Sequence, residues 1–213
     1  MLANLFLHYA VDVWMARKFP SVPFERYVDD MVVHCRSERQ ARMVATALAE
    51  RMDQVGLRLH PDKSRIVYCQ DGQRTGSHEH TSFDFLGFTF RARGMRSRHG
   101  NVFTGFGPAV SKTALKRMSH QVRSWRLHRR TTLTEQDLAR WLNPIVSGWM
   151  NYYGSFYRSE LYPLLRRINA YLVRWLRKKY KRLRAFTKAR AAWNRIIHQH
   201  PRLFTHWRWV PEF

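Results

Sequence analysis

Asp29 and Asp30 stand side by side between two short β-forming runs, Phe24-Glu-Arg-Tyr27-Val28 and Met31-Val-Val-His-Cys35. Adjacent carboxylates at the turn of a hairpin concentrate negative charge on a rigid backbone, which is how hard oxygen ligands grip the divalent cations of phosphoryl transfer. Taken alone, the pair has a plainer reading, because ordinary turns favour aspartate. Cys69, His78 and His80 are scattered along a polar loop and fall short of a tetrahedral zinc set. Cys35 and Cys69 lie outside any C-x-x-C pattern and in apolar runs, so they read as buried thiols of a reducing compartment.

The second constellation is cationic. The 213 residues carry 38 Lys and Arg against 15 Asp and Glu, a net charge of +23. Residues 1–110 hold 15 basic and 11 acidic groups, whereas residues 111–213 hold 23 and 4. A field of that density implies a polyanion partner, since each neutralised phosphate releases a condensed counterion. Arg166 and Arg167 lead into Arg174, Arg177, Lys178, Lys179, Lys181, Arg182, Arg184, Lys188 and Arg190, the last nine falling within 17 residues with no acid among them. Trp125, Trp141, Trp149, Tyr152, Tyr153, Phe156, Tyr157, Tyr171, Trp175 and Tyr180 are interleaved with these cations and offer stacking surfaces for bases. Aromatics at helical spacing are equally core residues, the reading favoured for Trp141, Trp149 and Trp175.

The elements that must position these groups follow from periodicity. Leu2, Leu5, Phe6, Tyr9, Val13 and Trp14 make one helical stripe before Pro20. After the hairpin, Ser37-Glu-Arg-Gln40 has the form of a capping box, with the stripe Ala41, Val44, Ala45, Leu48, Met52 and Val55 closed by Gly56. Residues 57–59 and 64–69 read as a strand pair around Pro61-Asp62, and residues 82–90 as one strand with a bulge or bend at Leu86-Gly87. Residues 91–108 hold four arginines and four glycines without a period and read as a linker. Helices are expected over 111–128, 135–142, 144–156, 160–182 and 186–199. With 45% hydrophobic residues the chain supports a real core. No apolar run reaches a membrane span, no basic leader precedes Leu2, and the expectation is a cytoplasmic protein.

In their order, the Asp-Asp hairpin, the capped helix, Leu57-Arg-Leu-His-Pro-Asp-Lys-Ser-Arg65 and Phe83-Asp-Phe-Leu-Gly-Phe88 resemble the C-terminal part of the palm of group II intron reverse transcriptases. Tyr27-Val28-Asp29-Asp30 is similar to that family's Tyr-x-Asp-Asp motif, and residues 60–65 to its Pro-x-Lys-Thr/Ser-Arg segment. The opening Leu2-Ala-Asn-Leu-Phe-Leu-His-Tyr9 resembles the helix after the family's Gly-x-Pro-Gln-Gly motif. Trp141-Leu-Asn-Pro-Ile-Val-Ser-Gly-Trp-Met-Asn-Tyr-Tyr153 resembles the maturase-specific domain.

The resemblance implies an α+β fold: a partial palm over residues 1–95 with a β-hairpin, a helix and further strands, and a linker over 96–110. An all-α thumb and maturase module follows over 111–184, with a basic helical tail over 185–213. It implies Mg²⁺ on Asp29 and Asp30, and Lys63 acting on the leaving group. Tyr27, Val28, Phe85, Leu86, Gly87 and Phe88 are then expected near primer or nucleotide. The implied RNA-binding groups are Arg166, Arg167, Arg174, Arg177, Lys178, Lys179, Lys181, Arg182, Arg184, Tyr152 and Tyr153. The partners are intron RNA and, in a complete enzyme, an RNA template with a DNA primer. The family's palm carries another catalytic aspartate on an earlier strand, and neither it nor Gly-x-Pro-Gln-Gly is found here. Asp12 and Glu25 are near in sequence without matching that role. The expectation is an N-terminally shortened polymerase of a bacterial-type mobile element, completed by a second chain or retained as an RNA-binding splicing factor.

Overall fold

The computed structural model describes residues 2–74 and 76–212. It forms two units, Met1–Phe83 and Asp84–Phe213, the division falling within a strand. The first unit opens with α1 (Leu2–Leu7), a π-helical turn His8–Asp12 and α2 (Val13–Lys18). The π-turn adds a residue to one helical turn, and so rotates the face presented after it. The stripe expected from Leu2 to Trp14 is therefore corrected: Ala10, Val11 and Met15 are buried, while Leu2, Leu5, Phe6 and Tyr9 are exposed. Arg51 donates from Nε to the Ala10 carbonyl (3.0 Å) and ties this turn to α3 (Glu38–Gln54). Ser37 Oγ caps α3 by accepting from the Gln40 N–H (3.2 Å), and the helix closes at Gly56 with φ +75°. The reciprocal arm of the box is displaced, because Gln40 Oε1 accepts from the Arg36 N–H instead.

Between these helices lie β1 (Phe24–Tyr27) and β2 (Asp30–Val33), antiparallel. Met15, Val22, Val44 and Leu48 make the small core under them. The strand pair expected at 57–59 and 64–69 is absent among the described residues. The turn after Pro61 forms, the His60 carbonyl accepting from Lys63 and Ser64 N–H groups, and Tyr68 donates to the His80 carbonyl. A ladder needs a partner over several residues, and this segment has isolated bonds instead.

The second unit begins in the three-stranded sheet β3 (Ser82–Phe85), β4 (Phe88–Arg96) and β5 (Val102–Val110), in that order. The single bulged strand expected over 82–90 is two strands joined by a two-residue turn. Leu86 and Gly87 sit at φ +50° and +79°, the double left-handed geometry whose twist suits a hairpin. The linker expected over 96–110 is likewise corrected: β4 and β5 pair from Phe88↔Val110 to Arg96↔Val102. Glycines that read as chain punctuation make room for a side chain, since a Cβ at Gly105 would lie 2.6 Å from Met95 Sδ and one at Gly107 2.6 Å from Met95 Cε.

Four helices follow: α4 (Lys112–Ser124), α5 (Glu135–Tyr153), α6 (Tyr162–Lys179) and α7 (Phe186–Gln199). Ser111 caps α4, and Thr134 and Asp137 form a capping box on α5. The break expected before Pro144 does not occur. Pro144 is exposed, Asn143 bonds to the Leu203 carbonyl and the Thr205 N–H, and Leu138, Leu142, Val146 and Met150 hold one buried face across the proline.

The basic helical tail expected over 185–213 carries a helix, α7, and contributes to the core. Ala189, Trp193, Phe204, Trp207 and Val210 are buried in the same core as α5 and α6. Asn169, wholly buried on α6, pins this segment. Its Nδ2 donates to the Val210 (2.9 Å) and Glu212 (2.5 Å) carbonyls, and its Oδ1 accepts from Trp207 Nε1 (3.1 Å) and meets His206 Nε2 at 2.6 Å. Burial pushes the His206 imidazole down to about 3, so it is neutral in the fold and accepts a proton freely only when unfolded. Stability from this group is therefore complete above the ordinary histidine range and is lost as pH falls towards 3. Urea unfolding at pH 7 and pH 4 is expected to show His206→Gln losing roughly 3 kcal/mol less than the parent chain. Equal losses would contradict this burial.

Candidate functional site

The pairing Tyr27↔Asp30 leaves Val28 and Asp29 as a two-residue hairpin turn, with Val28 at φ +58°. A β-branched residue in that region is strained, so the surroundings must hold it. Arg26 does so. Its guanidinium grips Asp12 with two bonds, Nε to Oδ1 at 2.6 Å and Nη2 to Oδ2 at 2.7 Å, while Nη1 donates to the Val28 carbonyl (2.6 Å) and to Asn4 Oδ1 (3.2 Å). The Arg26 hydrogen bonds hold the Asp12 carboxyl below its ordinary pKa against the opposing effect of burial, with His8 adding to the shift. The same contact raises Arg26. Thus the π-turn that carries Asp12 is fastened through one arginine to the turn that carries Asp29.

Tyr27, Val28, Asp29 and Asp30 are exposed together at this tip. Asp12 is engaged by Arg26 and Glu25 by His34, so neither turns to the Asp pair. Among the described residues no group of three or more His, Cys, Asp and Glu side chains is placed to share a metal ion. Two hard carboxylates suit one Mg²⁺, which keeps waters and takes one or two protein oxygens; they do not suit a pair of ions. Lys63 is exposed in its own turn, and among the described residues no ion pair joins it to Asp29 or Asp30. Cys35 and Cys69 are half-buried, and burial pushes both thiols up.

In the second unit the Leu86-Gly87 turn is clasped by the end of α5. Tyr152 donates from its hydroxyl to the Leu86 carbonyl (2.8 Å), and a Cβ on Gly87 would lie 2.9 Å from the Tyr153 hydroxyl oxygen. Phe88 is buried against the rings of Tyr152, Tyr153 and Phe156, and Arg117 donates to the Tyr153 hydroxyl (3.2 Å). The expectation that Tyr153 faces RNA is corrected: it is 5% exposed, because its ring fills the space that glycine leaves. Tyr152 remains 48% exposed, with its hydroxyl engaged.

Arg166, Arg167, Arg174, Arg177, Lys178, Lys181, Arg182 and Arg184 are all exposed. Lys179 is not one of the outward cations. It is half-buried, its ammonium held by the Thr131 (3.1 Å) and Leu133 (2.5 Å) carbonyls and lying over the Trp175 and Tyr180 rings. Trp175 is core, while Trp141 and Trp149 pack against the core with Trp149 stacked on Trp125. Helices α4, α6 and α7 contain no acidic residue, and among the described residues none of their cations forms an ion pair.

Residues 1–90 match the family model for reverse transcriptase (RNA-dependent DNA polymerase), and residues 115–195 match that for the group II intron maturase-specific domain. The chain belongs to the group II intron reverse transcriptase/maturase family. Comparison with curated proteins found no match. The maturase-specific match runs from α4 into α7 and takes in the acid-free helices, whereas the reverse transcriptase match takes in the Asp29-Asp30 hairpin and ends in β4, just past the clasped turn. Among the described residues no helix of this maturase-family chain is long and apolar enough to cross a membrane. The Arg26–Asp12 fastening escapes a sequence reading, because its partners are 14 residues apart and belong to no shared period.

Gly87→Ala is expected to lower the stability of the second unit by about 2 kcal/mol, through the left-handed backbone and the crowding of Tyr153. Thermal melting of Gly87→Ala beside Gly94→Ala, where a Cβ meets open space, checks this: only the former should shift the midpoint by several degrees.

Proposed function

We propose that this chain grips structured intron RNA through the helical unit and assists its splicing, and that the hairpin offers Asp29 and Asp30 as Mg²⁺ ligands for RNA-directed DNA synthesis. The observation that carries the RNA reading is the acid-free surface of α4, α6 and α7, whose exposed cations have no carboxylate partner among the described residues. A merely solvated face mixes signs, while a one-signed face repels itself until a polyanion covers it. In this reading Arg166, Arg167, Arg174, Arg177, Lys178, Lys181, Arg182 and Arg184 contact phosphates and 2′-hydroxyls, and the exposed edge of Tyr152 is available to a base.

When bound at the hairpin, Mg²⁺ supplies a Lewis acid for phosphate oxygens. Asp29 and Asp30 would hold it, Arg26 keeps their turn in place, and Lys63 would counter charge on a leaving group. A two-ion reaction calls for carboxylates beyond this hairpin, which a second chain can contribute. The engagement of Asp12 with Arg26 and Glu25 with His34 favours a second reading, in which the chain is a splicing factor and the hairpin is scaffold.

RNA binding measured between 50 and 300 mM salt tests the common part. With about 6 phosphates contacted at about 0.7 counterions each, log K should fall against log salt with a slope near −4. Asp29→Asn and Asp30→Asn should leave that affinity within about twofold, since each removes a negative charge and none of the basic-helix cations. Little Mg²⁺-dependent primer extension is expected from the 213-residue chain alone. Robust extension abolished by Asp29→Ala would decide for polymerase over scaffold, and a flat salt dependence would sink the RNA reading.

A further inference from the structure

Between α4 and α6 lies a cleft of about 440 Å³, lined by Lys116, Ser119, His120 and Arg123 on one wall and by Arg167 and Tyr171 on the other. Lys116, His120 and Arg123 recur at the spacing of one helical face. On α6, Arg167, Tyr171, Arg174 and Lys178 recur likewise and continue the lining into a row that spans about 16 Å in all, at about 1.5 Å per residue. The 3₁₀ turn Leu127–Arg129 packs against α6 at the far end of this row. There Arg174, Arg129, Lys178 and Arg126 surround His128, and together with burial, the larger cause, they hold its imidazole below the ordinary range. Arg126 occupies this place in the left-handed region, at φ +48°, where a long charged side chain has no conformational reason to be. His128 Nδ1 is buried without a hydrogen-bond partner. Lys116, Arg123 and Arg167 have no carboxylate partner among the described residues.

We propose that this cleft and the row of cations leading from it bind a single strand of RNA about four to five nucleotides long, one base seated on the Tyr171 ring and the backbone phosphates on the flanking cations. The length follows from about 16 Å at about 3.4 Å per stacked nucleotide. Cations on both walls can neutralise one backbone from two sides, an arrangement suited to a single strand rather than a duplex. The Tyr171 ring of the α6 wall can take the face of an unstacked base, and the Ser119 hydroxyl and His120 imidazole can meet a base edge or a 2′-hydroxyl. The inference rests on the RNA reading above and sharpens it, locating the grip in α4, the Leu127–Arg129 turn and one face of α6, and identifying its ligand as a looped or unpaired segment.

The test compares the affinity of a ten-nucleotide unstructured RNA and a duplex RNA of the same length. The proteins are the parent chain, the triple variant Lys116→Gln/Arg123→Gln/Arg167→Gln, Tyr171→Leu and Tyr171→Phe, and a control triple, Arg39→Gln/Arg98→Gln/Arg202→Gln, that removes equal charge from exposed positions outside α4, α6 and α7. At 150 mM salt the cleft triple should lose at least tenfold in single-strand affinity and flatten the salt slope by about 2, at about 0.7 per phosphate contact. The control triple should lose less than threefold. Tyr171→Leu should lose about tenfold on the single strand and little on the duplex, with Tyr171→Phe unchanged. Equal losses in the two triples, or a Tyr171→Leu variant that melts normally and binds the single strand like the parent, would overturn the proposal while leaving RNA binding standing. If Tyr171→Leu does not fold, the two exposed triples decide. A parent chain that binds neither RNA at 50 mM salt would overturn the broader reading as well.

Discussion

Mutual repulsion among the cations of residues 111–213, 23 against 4 acids, is the constraint on which the rest of the helical unit depends. A compact core must hold those charges close together, and its composition answers that need. Trp125, Trp175, Trp193 and Trp207 are buried, each removing a large apolar surface from water. Asn169 satisfies its amide within the core, and the His206 it touches stays neutral. Some cations are turned inward to structural use: Lys179 caps two loop carbonyls, and Arg130 lies 4.5 Å from the Trp141 ring centre while donating to the Trp125 carbonyl. The exposed cations of α4, α6 and α7 face solvent without an ion pair among the described residues.

The first unit solves a different problem, that of presenting two adjacent carboxylates on a turn whose leading residue is a strained valine. Arg26 is central because one guanidinium serves both the Val28 carbonyl and Asp12. The Arg26 hydrogen bonds hold the Asp12 carboxyl below its ordinary range, which keeps that partner charged and the fastening in place. The Mg²⁺ role proposed for this turn would call for such rigidity, since ligands that wander lose affinity for a small, geometrically demanding ion.

What the sequence made legible was local. Ser37 and Thr134 announce the helices they cap, the stripe of α6 declares its buried face, and α7 runs over the residues its pattern marks. Asp29 and Asp30 stood out because hairpin and acids share a few consecutive residues. What stayed hidden depends on contacts distant in sequence or on rare backbone. A π-turn rotated the first helix, a leucine took a left-handed turn at Leu86, and Gly105 and Gly107 proved to be packing positions beneath Met95. Tyr152 and Tyr153 read as exposed aromatics because their partner, the Leu86-Gly87 turn, lies 66 residues away. The cleft between α4 and α6 escaped for the same reason: its two cationic rows belong to different helices.

The central claim is that the helical unit carries charge uncompensated within the chain. Its most direct test is the thermal midpoint of the RNA-free protein, followed by near-UV circular dichroism as sodium chloride is raised from 50 to 500 mM. Seven of the eight tryptophans lie in residues 84–213, so this signal reports chiefly the helical unit. Screening shortens the reach of repulsion from about 14 Å to a few ångströms over that range, so the midpoint should climb by several degrees. A midpoint that stays level or falls would mean that the cations are already balanced within the fold, and would contradict the account.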